Sequence, residues 1–254
     1  MYGETYQAVS NAAKNKVGFL KKSPGGYFVH SMLAGAYIGF GNILINVIGG
    51  LLKGAPATKV VMGCAFGIAL SLVVIAGAEL FTGNTLVMTA GLTEKKISFA
   101  EAVKLLVICW FGNLAGSALL ALFFHFSGLY TEQAQTFLAT AAAAKMSAPF
   151  LQLVIRGILC NILVCLAVWC GFKCKSESAK LIMIFWCLFA FITCGYEHSI
   201  ANMTQLTLAL LDPAGQAVSF GGWIYNLAAV TLGNIIGGVC FVALPYYAGA
   251  KVEK

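Results

Sequence analysis

The stretch Gly195-Tyr196-Glu197-His198-Ser199-Ile200-Ala201-Asn202-Met203 interrupts an apolar block that runs over 181–211. A bilayer core of about 30 Å takes only about 20 residues of helix, so the block is too long for one straight crossing. A carboxylate, an imidazole and an amide stand in its middle, where an unbroken membrane helix has apolar side chains. The block reads as a broken helix. A second overlong block, 60–91, carries a matching interruption at Glu79-Leu80-Phe81-Thr82-Gly83-Asn84.

Working outward from these breaks, the same length criterion finds six apolar blocks: 27–52, 60–91, 102–126, 149–172, 181–211 and 222–248. Three pairs of segments match in order. Gly41-Asn42-Ile43-Leu44-Ile45 pairs with Cys160-Asn161-Ile162-Leu163-Val164 at offset 119, and Glu79…Asn84 with Glu197…Asn202 at offset 118. Gly112-Asn113-Leu114-Ala115-Gly116 pairs with Gly233-Asn234-Ile235-Ile236-Gly237 at offset 121. Each copy holds three spans, an odd number, so the second copy enters the membrane from the opposite side. The expected fold is an all-α membrane protein with six transmembrane helices in two inverted three-helix repeats, spans 2 and 5 broken. The chain is expected to form one channel domain over 1–254, with repeats at 27–126 and 149–248.

Composition supports a membrane protein. Of 254 residues, 60% are apolar and 10% charged, against roughly 45–50% and about 25% in soluble domains. The 28 glycines and 5 prolines suit closely packed membrane helices rather than disorder. The net charge of +7 is spread between the apolar blocks, which indicates membrane orientation and no nucleic-acid partner. Lys14, Lys16, Lys21, Lys22, Lys95, Lys96, Lys104, Lys173, Lys175, Lys180, Lys251 and Lys254 fall on one side, against Lys53, Lys59 and Lys145 on the other. Both termini are therefore expected in the cytoplasm, with the chain in the cell (inner) membrane. Residues 1–23 carry Tyr6, Val9, Ala13, Val17 and Leu20 at helical spacing, so an amphipathic helix lying along the cytoplasmic interface is expected. No cleaved signal peptide is expected, because the first apolar block is a full-length span. The nine cysteines include no CxxC pair and scatter around their helices, so they are read as small hydrophobes. No metal or cofactor is expected.

Two broken helices meeting near the midplane present free N–H groups at the start of each second half, near Thr82 and His198. Each such end carries roughly half a positive charge, and two facing one cavity favour an anion. Glu79 and Glu197 need a reason to sit in a membrane, and the expectation is that each supports its break by capping the freed N–H groups. His198 is the side chain there that changes charge near neutral pH. Thr82 offers its hydroxyl to a passing solute or to a helix end. Asn161 and Asn234 either donate into the cavity or bond helix to helix, as do Asn42 and Asn113. Lys145 follows four alanines in the outer connection, where a solvated loop position is its plain reading. Arg156 is read as an anchoring or subunit-contact residue; His30 and His125 are given no role.

Glu79-Leu-Phe-Thr-Gly-Asn84, Gly195-Tyr-Glu-His-Ser-Ile-Ala-Asn-Met203 and Thr231-Leu-Gly-Asn-Ile-Ile-Gly-Gly238 together resemble the formate/nitrite transporter family, nearest its nitrite and hydrosulfide channel branches. The likeness spans about 24–247. It implies an aquaporin-like protomer in a homopentamer, with one anion path per subunit. It further implies that the central histidine is His198, the first-break threonine Thr82, the attracting lysine Lys145 and the cavity asparagines Asn161 and Asn234. The apolar constrictions it implies are Leu80 on the inner side and Phe66, Leu70 and Phe191 on the outer. Gly83 departs from members that carry serine there, which implies a looser loop around Thr82.

The expected function is a channel or transporter for small monovalent anions such as hydrosulfide, nitrite or formate. Proton transfer or a hydrogen bond at His198 lowers the large desolvation cost of crossing an apolar constriction. A neutral-solute channel for water, ammonia or glycerol is the first alternative, weakened by the lack of an Asn-Pro-Ala pair. A membrane-embedded hydrolase using Ser199 beside His198 is the second. Consecutive residues on a helix turn point in different directions, which argues against a nucleophile–base pair.

Overall fold

A computed structural model describes residues 2–252; Lys254, counted above among the basic residues, lies outside the described residues. Six helical segments among them are long and apolar enough to cross a membrane: Pro24–Leu51, Thr58–Gly77, Phe99–Phe126, Phe150–Lys173, Glu177–Cys194 and Phe220–Lys251. They follow the expected blocks closely, and the two overlong blocks are indeed broken.

In the first half, α1 (Gly3–Lys22) precedes α2 (Pro24–Leu51), which Ser23 caps by accepting from the Gly26 N–H. The second span then runs through α3 (Thr58–Ala65), α4 (Gly67–Ser71) and a π-helical turn, Leu72–Gly77. Gly77 at φ +82° ends it, in a backbone region where a Cβ is costly. Ala78 and Leu80 are extended, and α5 (Phe81–Thr93) resumes the helix. The third span is α6 (Phe99–Phe126), opened by a capping box of Ser98 and Glu101.

The second half repeats this order. Helix α7 (Glu132–Ser147) precedes α8 (Phe150–Lys173), then α9 (Glu177–Cys194) stops at Gly195, φ +77°. After the break come α10 (Ser199–Leu211), α11 (Phe220–Gly238), a second π-helical turn (Val239–Ala243) and α12 (Leu244–Lys251).

Small residues let the unbroken spans touch backbone to backbone. A Cβ on Gly35 would strike the Asn113 carbonyl, and one on Gly116 the Met32 carbonyl, fastening α2 to α6. The same seam joins α8 to α11, where Gly233 faces the Val154 carbonyl and Gly237 that of Ile158.

Three expectations change here. First, the apolar stripe of α1 does not lie on lipid: Tyr6, Val9, Ala13, Val17 and Leu20 are all buried within the protein. Tyr6 bonds Thr93 at 2.7 Å and Gln7 donates to Glu94 at 2.6 Å, strapping α1 across α5. Tyr2 and Tyr6 also meet Tyr246 and Tyr247, which brings the first and last helices together. Second, the connection carrying Lys145 is a helix, α7, with Leu138, Ala142 and Met146 buried. Third, the match of Asn42 to Asn161 is out of structural register. Glu79 N–H donates to the His30 carbonyl and Glu197 N–H to that of Arg156. These equivalent contacts pair 30 with 156, which makes Gly35 the counterpart of Asn161. The slip is seven residues, two helical turns, so the apparent match kept the face while missing the level.

Candidate functional site

The breaks are held by asparagines. Asn113 Oδ1 accepts the Phe81 N–H at 2.9 Å while its Nδ2 donates to the carbonyls of Ser31 (2.7 Å) and Glu79 (2.8 Å). Asn234 does the same in the second half: Oδ1 accepts from Ser199 N–H at 2.9 Å, and Nδ2 donates to Gly157 (2.8 Å) and Glu197 (3.0 Å). Each amide thus satisfies one freed N–H and one freed carbonyl of its break and ties both to a carbonyl of the neighbouring unbroken helix. This overturns the expectation that the glutamates cap the N–H groups. It also leaves Asn234 with no N–H free for a cavity.

The glutamate carboxylates instead hold lysines. Glu79 accepts from Lys16 Nζ at 2.7 and 2.6 Å, from Asn84 Nδ2 at 2.9 Å and from the Tyr27 hydroxyl at 3.1 Å. Glu197 accepts from Lys145 Nζ at 2.7 Å and from Asn202 Nδ2 at 2.7 Å, and Lys145 also reaches Asn202 Oδ1 at 3.0 Å. Asn226 closes the second cluster by accepting from Asn202 Nδ2 and donating to the Lys145 carbonyl. The two lysines retain 23% and 21% of their side-chain exposure while Glu197 retains 4%. Each lysine is therefore partly exposed and held by a more buried acid behind it.

Between these clusters the breaks meet directly. His198 Nε2 and Thr82 Oγ1 are 2.9 Å apart, both buried. His198 is also the N-cap of α10, its Nδ1 accepting the Ala201 N–H at 3.1 Å. An acceptor Nδ1 carries no proton, so in the neutral ring the proton is on Nε2, which donates to Thr82. The threonine's own proton is then free to turn toward a solute.

His198 looks onto a chamber of about 10 Å³ lined also by Ile38, Phe66, Leu70, Leu80, Val164, Leu188 and Phe191. The rings of Phe66 and Phe191 meet edge to face at 5.3 Å. On the α1 side a vestibule of about 580 Å³ opens, bounded by Lys16, Glu79, Leu80, Gly83 and Leu70 among others. Leu70 and Leu80 border both spaces, so they form the partition; the implied grouping of Leu70 with the two phenylalanines captures only one of its faces.

Asn161 sits beside the same break, donating to the Thr82 carbonyl (3.3 Å), Thr85 Oγ1 (3.1 Å) and the Asn234 carbonyl (2.6 Å), while its Oδ1 is buried without a partner. Its bonds run helix to helix. Gly83 lies in the first turn of α5, where a Cβ would meet Val168 at 3.2 Å. Ser199 Oγ has no partner, and both ring nitrogens of His198 are engaged elsewhere, so no nucleophile–base bond exists between them. Among the described residues the Arg156 side chain reaches only Gln152, at 3.1 Å; its carbonyl supports the second break.

Lys16, Asn84, Asn113, Asn202 and Asn226 were not singled out as site residues. Lys16 had a legible sign: it falls on the apolar stripe of α1, three residues after Ala13 and four before Leu20. Lys145 sits likewise between the buried Ala142 and Met146 of α7.

Six membrane-length helices, two of them broken and joined at a buried imidazole between two lysine–glutamate pairs, define a multi-pass membrane channel or transporter. Comparison with known proteins assigns it further. The profile of the family described as Formate/nitrite transporter matches residues 3–248. The chain is 42% identical over 257 residues to the nitrite transporter NirC of Salmonella typhimurium, covering all of this chain and 94% of that protein. It is 41% identical to NirC of Escherichia coli, covering all of this chain and 95% of that one. A solved structure described as an FNT family ion channel superposes with TM-score 0.93 at 40% identity, over 97% of this chain and 98% of the other. Another, a pentameric formate channel with formate bound, superposes with TM-score 0.79 at 32% identity, over 90% and 98%. The chain belongs to the formate/nitrite transporter family.

Proposed function

We propose that this protein is a channel for small monovalent anions, with nitrite, formate and hydrosulfide as the candidate cargo. It works as a homopentamer of inverted-repeat protomers in the cell (inner) membrane, and the α1 side faces the cytoplasm. The observation that carries this reading is a dry chamber whose one ionisable lining residue is His198, with Lys16 on the wall of the adjoining vestibule and Lys145 bonded to Glu197, the residue before His198.

Coulomb attraction at each lysine raises the local concentration of an anion, and a cation is repelled. The chamber wall then penalises a bare ion far more than a neutral acid of the same size. The solute accepts a hydrogen bond from Thr82, whose oxygen is in turn held by His198. Because Nδ1 of His198 is occupied by the Ala201 N–H, a doubly protonated ring breaks the α10 cap. That favours the hydrogen-bonding role over the proton-donor role. Twelve of the basic residues group on the α1 side by the sequence reading, which supports cytoplasmic termini. The relatives named as nitrite transporters and the pentameric formate channel support the cargo and the assembly.

The test is reconstitution in liposomes with nitrite, formate, hydrosulfide and glycerol across a pH series. Flux of at least one anion well above that of empty liposomes, with no accelerated glycerol entry, is expected. Glycerol flux without anion flux would overturn the reading.

A further inference from the structure

Where α1 ends and α6 begins, the two helices stand apart and leave a cleft of about 360 Å³. α1 supplies Val17, Leu20 and Lys21 to its walls, and α6 supplies Glu101, Lys104 and Ile108. The membrane-length helices α2 and α6 both start beside it, at Pro24 and Phe99. The cleft therefore lies at the boundary between the apolar core of the membrane and its polar surface, with charged and aliphatic side chains next to one another.

Glu101 is the acid of this cleft, and its capacity is taken up. One carboxylate oxygen accepts from Lys21 Nζ; the other accepts the Ser98 N–H at 2.8 Å and the Ser98 hydroxyl at 3.0 Å. Lys104 stands one turn further along α6, exposed, with no hydrogen bond or ion pair among the described residues. It lies in the interior of the helix, four residues before Ile108, so only its side chain reaches the cleft. Helical side chains lean toward the N-terminus of their own helix, which here carries the ammonium back toward Glu101 and the membrane surface, as a snorkelling lysine requires. Two lysines against one glutamate leave the cleft with an excess of positive charge.

We propose that this cleft binds the head of an anionic phospholipid, with its phosphate between Lys21 and Lys104 and its acyl chains running down α6 past Ile108. The outward residues along that helix, Val103, Val107 and Phe111, are apolar and exposed, a surface that suits the chains. A zwitterionic head brings its own cation into a space already rich in positive charge, so the preference is for a lipid of net negative charge. The bound lipid ties the last turn of α1 to α6. Because α1 carries Lys16, the partner of Glu79 at the first break, the site steadies the helix that reaches the break. This goes beyond the anion path and does not depend on what the channel carries.

The experiment uses the full-length pentamer, delipidated in a maltoside detergent, with dioleoyl phosphatidylglycerol or dioleoyl phosphatidylcholine added back. Native mass spectrometry counts the retained lipid, and thermal unfolding reports stability. Phosphatidylglycerol is expected to be retained and to raise the melting temperature by several degrees, while phosphatidylcholine and soluble glycerol 3-phosphate do neither. Lys104→Gln is expected to bind phosphatidylglycerol about fivefold more weakly, the share of one lysine near an anionic head group, with the wild-type melting temperature in phosphatidylcholine. Glu101→Gln keeps a capping-box residue and frees Lys21, so it binds the lipid more tightly. Lys95→Gln, which removes an exposed lysine of the α5–α6 loop outside the cleft, binds it as the wild type does. Wild-type affinity in Lys104→Gln or equal retention of the two lipids overturns the inference. A response to glycerol 3-phosphate equal to that to phosphatidylglycerol also overturns it, by assigning the cleft to a soluble anion.

Discussion

His198 Nε2 and Thr82 Oγ1 stand 2.9 Å apart, joining the first turns of two half-helices that the chain separates by more than a hundred residues. The same imidazole caps α10 through its other nitrogen. One ring therefore caps a helix and, on the proposed reading, also serves transport, and the two roles are separable by substitution. His198→Asn keeps a good N-cap acceptor but does not reproduce the Nε2 donor. It is expected to melt within a few degrees of the wild type and to lose at least tenfold in anion flux. His198→Phe loses both functions. Full flux in His198→Asn would show that the ring serves the helix end alone.

Removing Lys145 strands Glu197, which has only 4% of its side chain exposed. Breaking a buried ion pair from one side typically costs about 3–5 kcal/mol. Lys145→Met is therefore expected to lower the melting temperature markedly. Pairing it with Glu197→Gln removes the stranded charge and restores much of that loss. Affinity for anion added from the α7 side stays several-fold weaker in both. A double variant with wild-type KM would remove Lys145 from the transport path.

Asn113 and Asn234 each satisfy three backbone groups. A buried polar group left without a partner costs about 1–3 kcal/mol, so either asparagine changed to alanine is expected to cost several kcal/mol. Thermal unfolding in detergent measures this directly. A loss below that of an exposed control such as Gln152→Ala would mean that water replaces the amide.

Burial pushes the Tyr6 hydroxyl up to about 12, the main cause being desolvation. An acid whose folded value lies above its unfolded one of about 10 is held as the neutral form by the fold. The attachment of α1 is therefore intact below pH 10 and weakens as pH rises from 10 toward 12. Tyr6 lies 6.3 Å from Trp169, ring centre to ring centre, so tryptophan fluorescence reports the change. Tyr6→Phe is expected to abolish that transition; its persistence would assign it to another group.

The six spans and both breaks were readable because length and hydropathy register them locally. A charged residue inside an overlong apolar block has few explanations. The partners of the glutamates were harder to see. Glu79 and Glu197 call for compensation, and the nearest unpaired groups along the chain are the N–H groups of their own breaks. The lysines that answer them come from helices far away in sequence. Lys16 looked like one more positive charge in a basic segment, and Lys145 like a loop residue, because four alanines before it carry no amphipathic pattern. Asn113 and Asn234 were visible as repeat mates, but only the fold reveals that each ties a break to the unbroken helix beside it. The false pairing of Asn42 with Asn161 arose because two helical turns preserve the face.

A chamber of about 10 Å³ has room for about one water molecule. No continuous file of water can thread it in this state, and hopping protons need such a file to leak. The same tightness thus interrupts the water wire a proton would need, so many copies of such a pore can share one membrane without short-circuiting a proton gradient across it.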